Sequence, residues 1–203
     1  MRTLVIDSAT EACSVALLDG PDLLAGDYRL LGRGHAEALV PMIAALPDRG
    51  RAGRIAVALG PGSFTGVRVG LAAARALALA WQCELVGYPT LALVAAMARA
   101  SAGNQACTVA MTGGHGEWFI QSYAADGLPA SDLASLTPAA AGQAQSAMLV
   151  AGTQAEALVA QSGTGQALPV HPDARSFALL PAALIGPADQ PLYGRAPDAR
   201  LPA

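Results

Sequence analysis

The stretch Gly60-Pro61-Gly62-Ser63-Phe64-Thr65-Gly66 joins two very different segments. Before it, residues 54–59 form a short apolar run of the kind a buried strand shows; after it, an alanine- and leucine-rich segment of helical length continues to Trp81. Glycine adopts backbone conformations closed to other residues and lets chain segments approach closely, while Ser63 or Thr65 can cap the first helical turn. These features define a tight strand-to-helix turn and commit the chain to an α/β fold. Such a turn can bind phosphate, because its N–H groups and the helix dipole favour an anion. This one lacks the lysine of G-x-x-x-x-G-K-[ST] and matches neither a dinucleotide-binding G-x-G-x-x-G nor a G-x-S-x-G nucleophile elbow.

The flanking sequence supplies the rest of the architecture. Thr3-Leu4-Val5-Ile6, stopped by Asp7, and Cys13-Ser14-Val15-Ala16-Leu17-Leu18, followed by Asp19-Gly20-Pro21-Asp22, read as paired strands. A third strand is expected over 23–31. A helix follows in which His35, Leu39, Met42 and Leu46 recur at i, i+4, i+7 and i+11, with Pro41 expected to kink it. A strand over 83–88 and a helix over 90–100 complete a strand-helix-strand-helix order, which implies a parallel component in the sheet.

Residues 101–104 mark a boundary between an N-terminal lobe, 1–103, and a smaller C-terminal lobe, 104–203. The second lobe opens with a hairpin, 106–111 and 117–123, about Thr112-Gly113-Gly114-His115-Gly116. Helices over 138–147 and 153–162, a strand over 148–151 and an irregular proline-rich tail from 186 are expected beyond it. A hairpin at the start of each half implies two lobes of related topology.

Few residues here can carry chemistry. Of the residues in the first turn, Asp7-Ser8-Ala9-Thr10-Glu11, none is glycine, so a phosphate cannot approach that backbone closely, and Asp7 and Thr10 read as turn-stabilising. The second hairpin has its glycines but offers Thr112 where a carboxylate would serve Mg²⁺. His35, His115 and His171 have no His or Cys partner at metal-ligand spacing, so no metal site is expected. The three cysteines, Cys13, Cys83 and Cys107, lie far apart in apolar runs and read as reduced core residues. A net charge of −3 supplies no basic field for direct nucleic-acid binding. The apolar stretch 67–81 carries Arg68 and Arg75 and is shorter than the roughly 20 residues of a bilayer span, and acidic residues interrupt the N-terminus. A cytoplasmic protein with no membrane contact is expected.

Arg68 and Arg75, seven apart, share one helix face, where they can meet acids of a partner or stand in solvent. His35, Leu39 and Met42 with Val67, Leu71 and Ala74 form a two-helix apolar surface that suits either a core or an interface. Small residues such as Gly70 and Ala74 would let another helix come close.

The opening 5–17, the segment Gly34-His35-Ala36-Glu37-Ala38-Leu39-Val40-Pro41-Met42-Ile43, and Gly60 through Gly70 together resemble the TsaB (YeaZ) family. The resemblance spans residues 1–95 and then thins to Gly116-Glu117, Leu180-Pro181 and Tyr193-x-Arg195. It implies an actin/Hsp70-like, ribonuclease H-like (ASKHA) two-lobed fold with mixed sheets flanked by helices. It further implies a non-catalytic subunit in the synthesis of threonylcarbamoyladenosine in ANN-decoding tRNAs. Such a subunit docks on the catalytic subunit TsaD beside the ATPase TsaE and reaches tRNA only through the complex. ATP and metal would then sit in partner subunits, with none bound by the isolated chain, and a homodimer can form when the chain is alone. The expected interface is His35, Leu39, Met42, Phe64, Val67, Arg68, Leu71, Ala74 and Arg75; Gly60, Gly62, Ser63, Thr65 and Gly66 would be the phosphate-proximal turn. The alternative reading is a small actin-like ATPase or phosphotransferase. A metalloprotease, a label that relatives of TsaD have carried, lacks a paired-histidine motif here.

Overall fold

A computed structural model describes residues 1–194. Two mixed sheets and the helices around them build it. The first sheet contains β1 (Arg2–Asp7), β2 (Ala12–Asp19), β3 (Asp22–Leu30), β4 (Arg54–Ala58) and β5 (Glu84–Tyr88), in the order β5-β4-β1-β2-β3. β1, β4 and β5 run parallel, while β1, β2 and β3 form an antiparallel meander. α1 (His35–Ala45) and α2 (Phe64–Trp81) make the crossovers, and α3 (Thr90–Ala102) leads to the second sheet.

That sheet contains β6 (Cys107–Thr112), β7 (Trp118–Tyr123), β8 (Ala134–Leu136), β9 (Leu149–Ala151) and β10 (Gln166–Leu168), ordered β10-β9-β6-β7-β8. It repeats the pattern: β6, β7 and β8 are antiparallel, and β6, β9 and β10 are parallel. α4 (Pro138–Ala144) and α5 (Ala155–Ser162) cover its outer face. The related topology expected of the two halves is therefore present, in a two-lobed α/β fold of the actin/Hsp70-like type.

The continuous apolar runs of the first strands follow from burial on both faces. Leu4 and Ile6 of β1 point with Val15 and Leu17 toward Leu39, Met42, Leu71 and Ala74 of α1 and α2. Val5, Ala16, Ala56 and Ala58 face the opposite way, into a core shared with α3 and the second sheet. α3 is buried nearly all round, and its Ala92, Ala95, Ala96 and Ala98 let both sheets approach it. Cys13 and Cys107 lie in these cores, whereas Cys83 precedes β5 and is only half-buried.

Several expectations need correction. The division into 1–103 and 104–203 overlooks a return of the chain to the first lobe. A 3-10 segment, Ala174–Leu179, packs on β1, β2 and β3; the Ala174 N–H donates to Ser14 Oγ at 2.9 Å, and Phe177 sits 5.4 Å from the Tyr88 ring. The tail is not wholly irregular: β11 (Gly186–Pro187) adds to the first sheet, antiparallel to β5. Pro41 lies inside α1, where the expected helix has it, on the exposed side. α2, with 18 residues and mean hydropathy 1.2, does reach the length and composition of a membrane span, yet it lays one face on β4 in this fold. The expected Tyr193-x-Arg195 feature falls partly beyond the described residues, since Arg195 lies outside them.

Candidate functional site: the glycine-rich turn and the helix it opens

The turn after β4 is seated on the turn of the first hairpin. The Ser63 N–H donates to the carbonyl of Ala9 at 2.7 Å, and the Ser8 hydroxyl donates to the carbonyl of Gly66 at 2.9 Å. A Cβ on Gly62 would stand 2.0 Å from the Ala9 oxygen, and one on Gly66 would stand 2.1 Å from that of Ser8. These glycines are needed because backbone meets backbone. Gly60, at φ +92°, also accepts the Thr90 N–H at 2.8 Å and so ties the turn to α3. Ser63 caps α2, its Oγ accepting the Gly66 N–H at 3.3 Å; Thr65 is exposed on the first turn of the helix.

Above the turn lies a cleft between the lobes, about 120 Å³ in volume, with Ala9, Thr10 and Glu11 on one side and Met111 and Thr112 on the other. Ligand pockets for drug-sized molecules run to roughly 300–1,000 Å³. Asp7 is buried and acts as a turn residue: its Oδ1 accepts the Ala9 N–H at 3.1 Å, and the Tyr88 hydroxyl lies 3.3 Å from its Oδ2. Burial pushes its pKa from 3.8 up to about 7, and the negative charge of Asp173 adds to the rise. Thr10 acts likewise, its Oγ1 accepting the Ala12 N–H at 3.2 Å. Across the cleft, Thr112 Oγ1 accepts from Gln154 Nε2 at 2.9 Å and lies 3.1 Å from Thr153 Oγ1. Among the described residues no group of three His, Cys, Asp or Glu side chains converges on a point that could hold a metal.

The structure divides the expected interface residues. Leu39, Met42, Val67, Leu71 and Ala74 are buried within the chain's own cores. Their i, i+4, i+7 spacing marks the face each helix lays on its own sheet, and such a face is consumed in folding. Gly70 is small for the same reason, since a Cβ there would stand 2.5 Å from Ser8 Oγ, under the helix. His35 is half-buried beside a groove of about 400 Å³ that runs between the starts of α1 and α2. Phe64, Arg68 and Arg75 are exposed.

Exposed small and apolar residues that periodicity did not flag include Ala36, Val40 and Ala44 on α1 and Ala72, Ala76 and Leu79 on α2. Val40 is 59% and Leu79 82% exposed. Their positions between the core-facing ones were the available signal.

Arg68 and Arg75 hold the chain's own tail. Arg75 Nη2 donates to the carbonyls of Ala188 at 3.2 Å and Asp189 at 2.7 Å. The Arg68 guanidinium lies 3.4 Å above the Phe64 ring centre and donates to the Tyr193 hydroxyl at 3.1 Å.

Paired mixed sheets with a cleft at the two hairpins define an actin/Hsp70-like two-lobed domain. The EutJ structure from Carboxydothermus hydrogenoformans shares this fold at 14% identity, with a TM-score of 0.52 over 89% of this chain and 90% of that one. A family model described as TsaD: tRNA N6-adenosine threonylcarbamoyltransferase matches residues 29–171. The YeaZ structure from Pseudomonas aeruginosa superposes with a TM-score of 0.74 at 30% identity, covering 88% of this chain and 89% of that one. The tRNA threonylcarbamoyladenosine biosynthesis protein TsaB of Escherichia coli is 37% identical over 131 residues, 62% of this chain and 56% of that protein. The chain thus belongs to the TsaB (YeaZ) family, within the wider group that the TsaD model describes. The matched part spans about half the length of the curated relatives, 56% for Escherichia coli and 45% for Bacillus subtilis TsaB.

Proposed function

We propose that this chain is a non-catalytic docking subunit in the synthesis of threonylcarbamoyladenosine in tRNAs that read ANN codons, seated on TsaD and working with the ATPase TsaE. The observation that carries this reading is the seating of the glycine-rich turn on the first hairpin. A kinase-like member of the fold would admit phosphates at that hairpin; here the Ala9 carbonyl already meets the Ser63 N–H, and the cleft above is only about 120 Å³. ATP and metal then belong to the partner subunits, tRNA is reached through the assembled complex, and the site of action is the cytoplasm. Family membership supports the pathway, because curated relatives carry its name.

Docking uses the outer face of α1 and α2, where Ala36, Val40, Ala72, Ala76 and Leu79 form a small-residue, apolar surface. Another helix can lie close on such a surface, and the same face serves a homodimer when the chain is alone. Titration of purified TsaD into the wild-type chain and into Leu79→Glu tests this. Tight binding by the wild type and loss of binding by the variant are expected; equal affinity would refute the face.

A further inference from the structure

From β11 the chain continues along the flank of α2, over the glycine-rich turn, to the second sheet. Three sets of contacts hold residues 188–194 there. Arg75 donates to the carbonyls of Ala188 and Asp189. The Leu192 N–H donates to the carbonyl of Leu59, the last residue before the turn, at 2.7 Å, and Arg68 donates to the Tyr193 hydroxyl. Finally, Gly194 lies so close to Phe119 that a Cβ on it would stand 2.5 Å from the ring and 3.1 Å from Pro61 Cβ. Phe119 belongs to β7 of the second lobe and Pro61 to the turn of the first, so the segment bridges the two beside the cleft, which is lined by Pro61 and by Met111, the strand partner of Phe119.

The hold is slight in one respect. Beyond Ala188, which sits in the core, Leu192 is 39% and Tyr193 53% exposed, so the segment past Ala188 buries little apolar surface and depends on a handful of hydrogen bonds, the mark of a locally labile element. Beneath it the lobes share a continuous core of Tyr88, α3, Met111 and Phe177, which cannot part without exposing apolar surface.

We propose that residues 188–194 are a latch beside the inter-lobe cleft. Seated on Arg68 and Arg75, they press the second lobe at Phe119 against the glycine-rich turn and keep the cleft narrow. Released, they let the mouth widen about the shared core, which acts as the hinge. The latch is a property of the isolated chain and needs no partner.

Spin labels at Glu11→Cys and Gly114→Cys, on opposite rims of the cleft, measure the opening in a Cys83→Ser background. Cys13 and Cys107 stay unlabelled, because burial pushes their thiols up to about 11. In Arg68→Ala/Arg75→Ala the Leu192 amide should exchange about tenfold faster, and the label distance should lengthen and broaden. Leu192→Pro, which removes the donor to Leu59 but keeps both arginines and alters an exposed side chain, should lengthen it too. Unchanged Leu192 protection in the double variant would overturn the latch. So would an unchanged label distance in Leu192→Pro, whatever the folding of the arginine variant.

Discussion

The carbonyl oxygen of Ala9 accepts the backbone N–H of Ser63 across 2.7 Å, which makes the turn of the first hairpin and the turn before α2 a single unit. Gly62 and Gly66 exist to permit that contact. Gly62→Ala forces backbone apart and should cost about 1–3 kcal/mol, the usual range for overpacking. Gly114→Ala, where an added Cβ meets nothing within 4 Å, should be nearly neutral. Urea unfolding of the two variants compares them.

Leu71 and Leu79 of α2 differ sharply in burial, one packed on the sheet at 3% and the other 82% exposed. Leu71→Glu places a carboxylate among Leu4, Ile6 and Met42 and should remove roughly 3 kcal/mol or more of stability. Leu79→Glu should leave the unfolding free energy from urea titration within about 0.5 kcal/mol of wild type while removing TsaD binding. A stable Leu71→Glu would show that the helix does not sit on the sheet as described.

Asp7 gives the fold a distinctive pH dependence. Its carboxyl titrates near 3.8 when unfolded and at about 7 when buried, so between those values the folded chain holds more protons. Stability from this group is therefore greatest at low pH and falls as pH rises toward 7, by at most about 1.4 kcal/mol per pH unit. Asp7→Asn keeps an acceptor for the Ala9 N–H and cannot ionise. It should flatten that slope and exceed wild type in stability at pH 8, measured by chemical unfolding across pH 4–8. A slope that survives the substitution would assign the dependence elsewhere.

Nucleotide binding separates the docking subunit from an actin-like ATPase. Calorimetry of the isolated chain with Mg-ATP should give no micromolar binding, since the cleft is small and the hairpin turn lacks glycine. Micromolar affinity would favour the ATPase.

Much of this fold is legible in the sequence because local signals and tertiary structure agree. The runs before Asp7 and after Ala12, the spacing of His35, Leu39 and Met42, and the glycines around Ser63 each specify an element found within a few residues of its expected place. The return of the chain after residue 173 was not legible, because it rests on single long-range contacts such as Ala174 to Ser14 and on a strand of two residues. Leu39, Met42, Val67, Leu71 and Ala74, read as an interface or a core, are core for a physical reason. Apolar periodicity reports the face a helix buries first, and a subunit's own sheet claims it before any partner can. Likewise the spacing of Arg68 and Arg75 showed a shared face but could not show that Ala188, Asp189 and Tyr193 would occupy it.

On the proposed function, this chain supports the modification of tRNA through the outer face of α1 and α2. Nucleoside mass spectrometry of bulk tRNA from cells depleted of the protein measures this directly. Depletion should abolish threonylcarbamoyladenosine, the wild-type chain should restore it, and the folded Leu79→Glu variant should fail to. Unchanged threonylcarbamoyladenosine on depletion would contradict the function, and full restoration by Leu79→Glu would contradict the face.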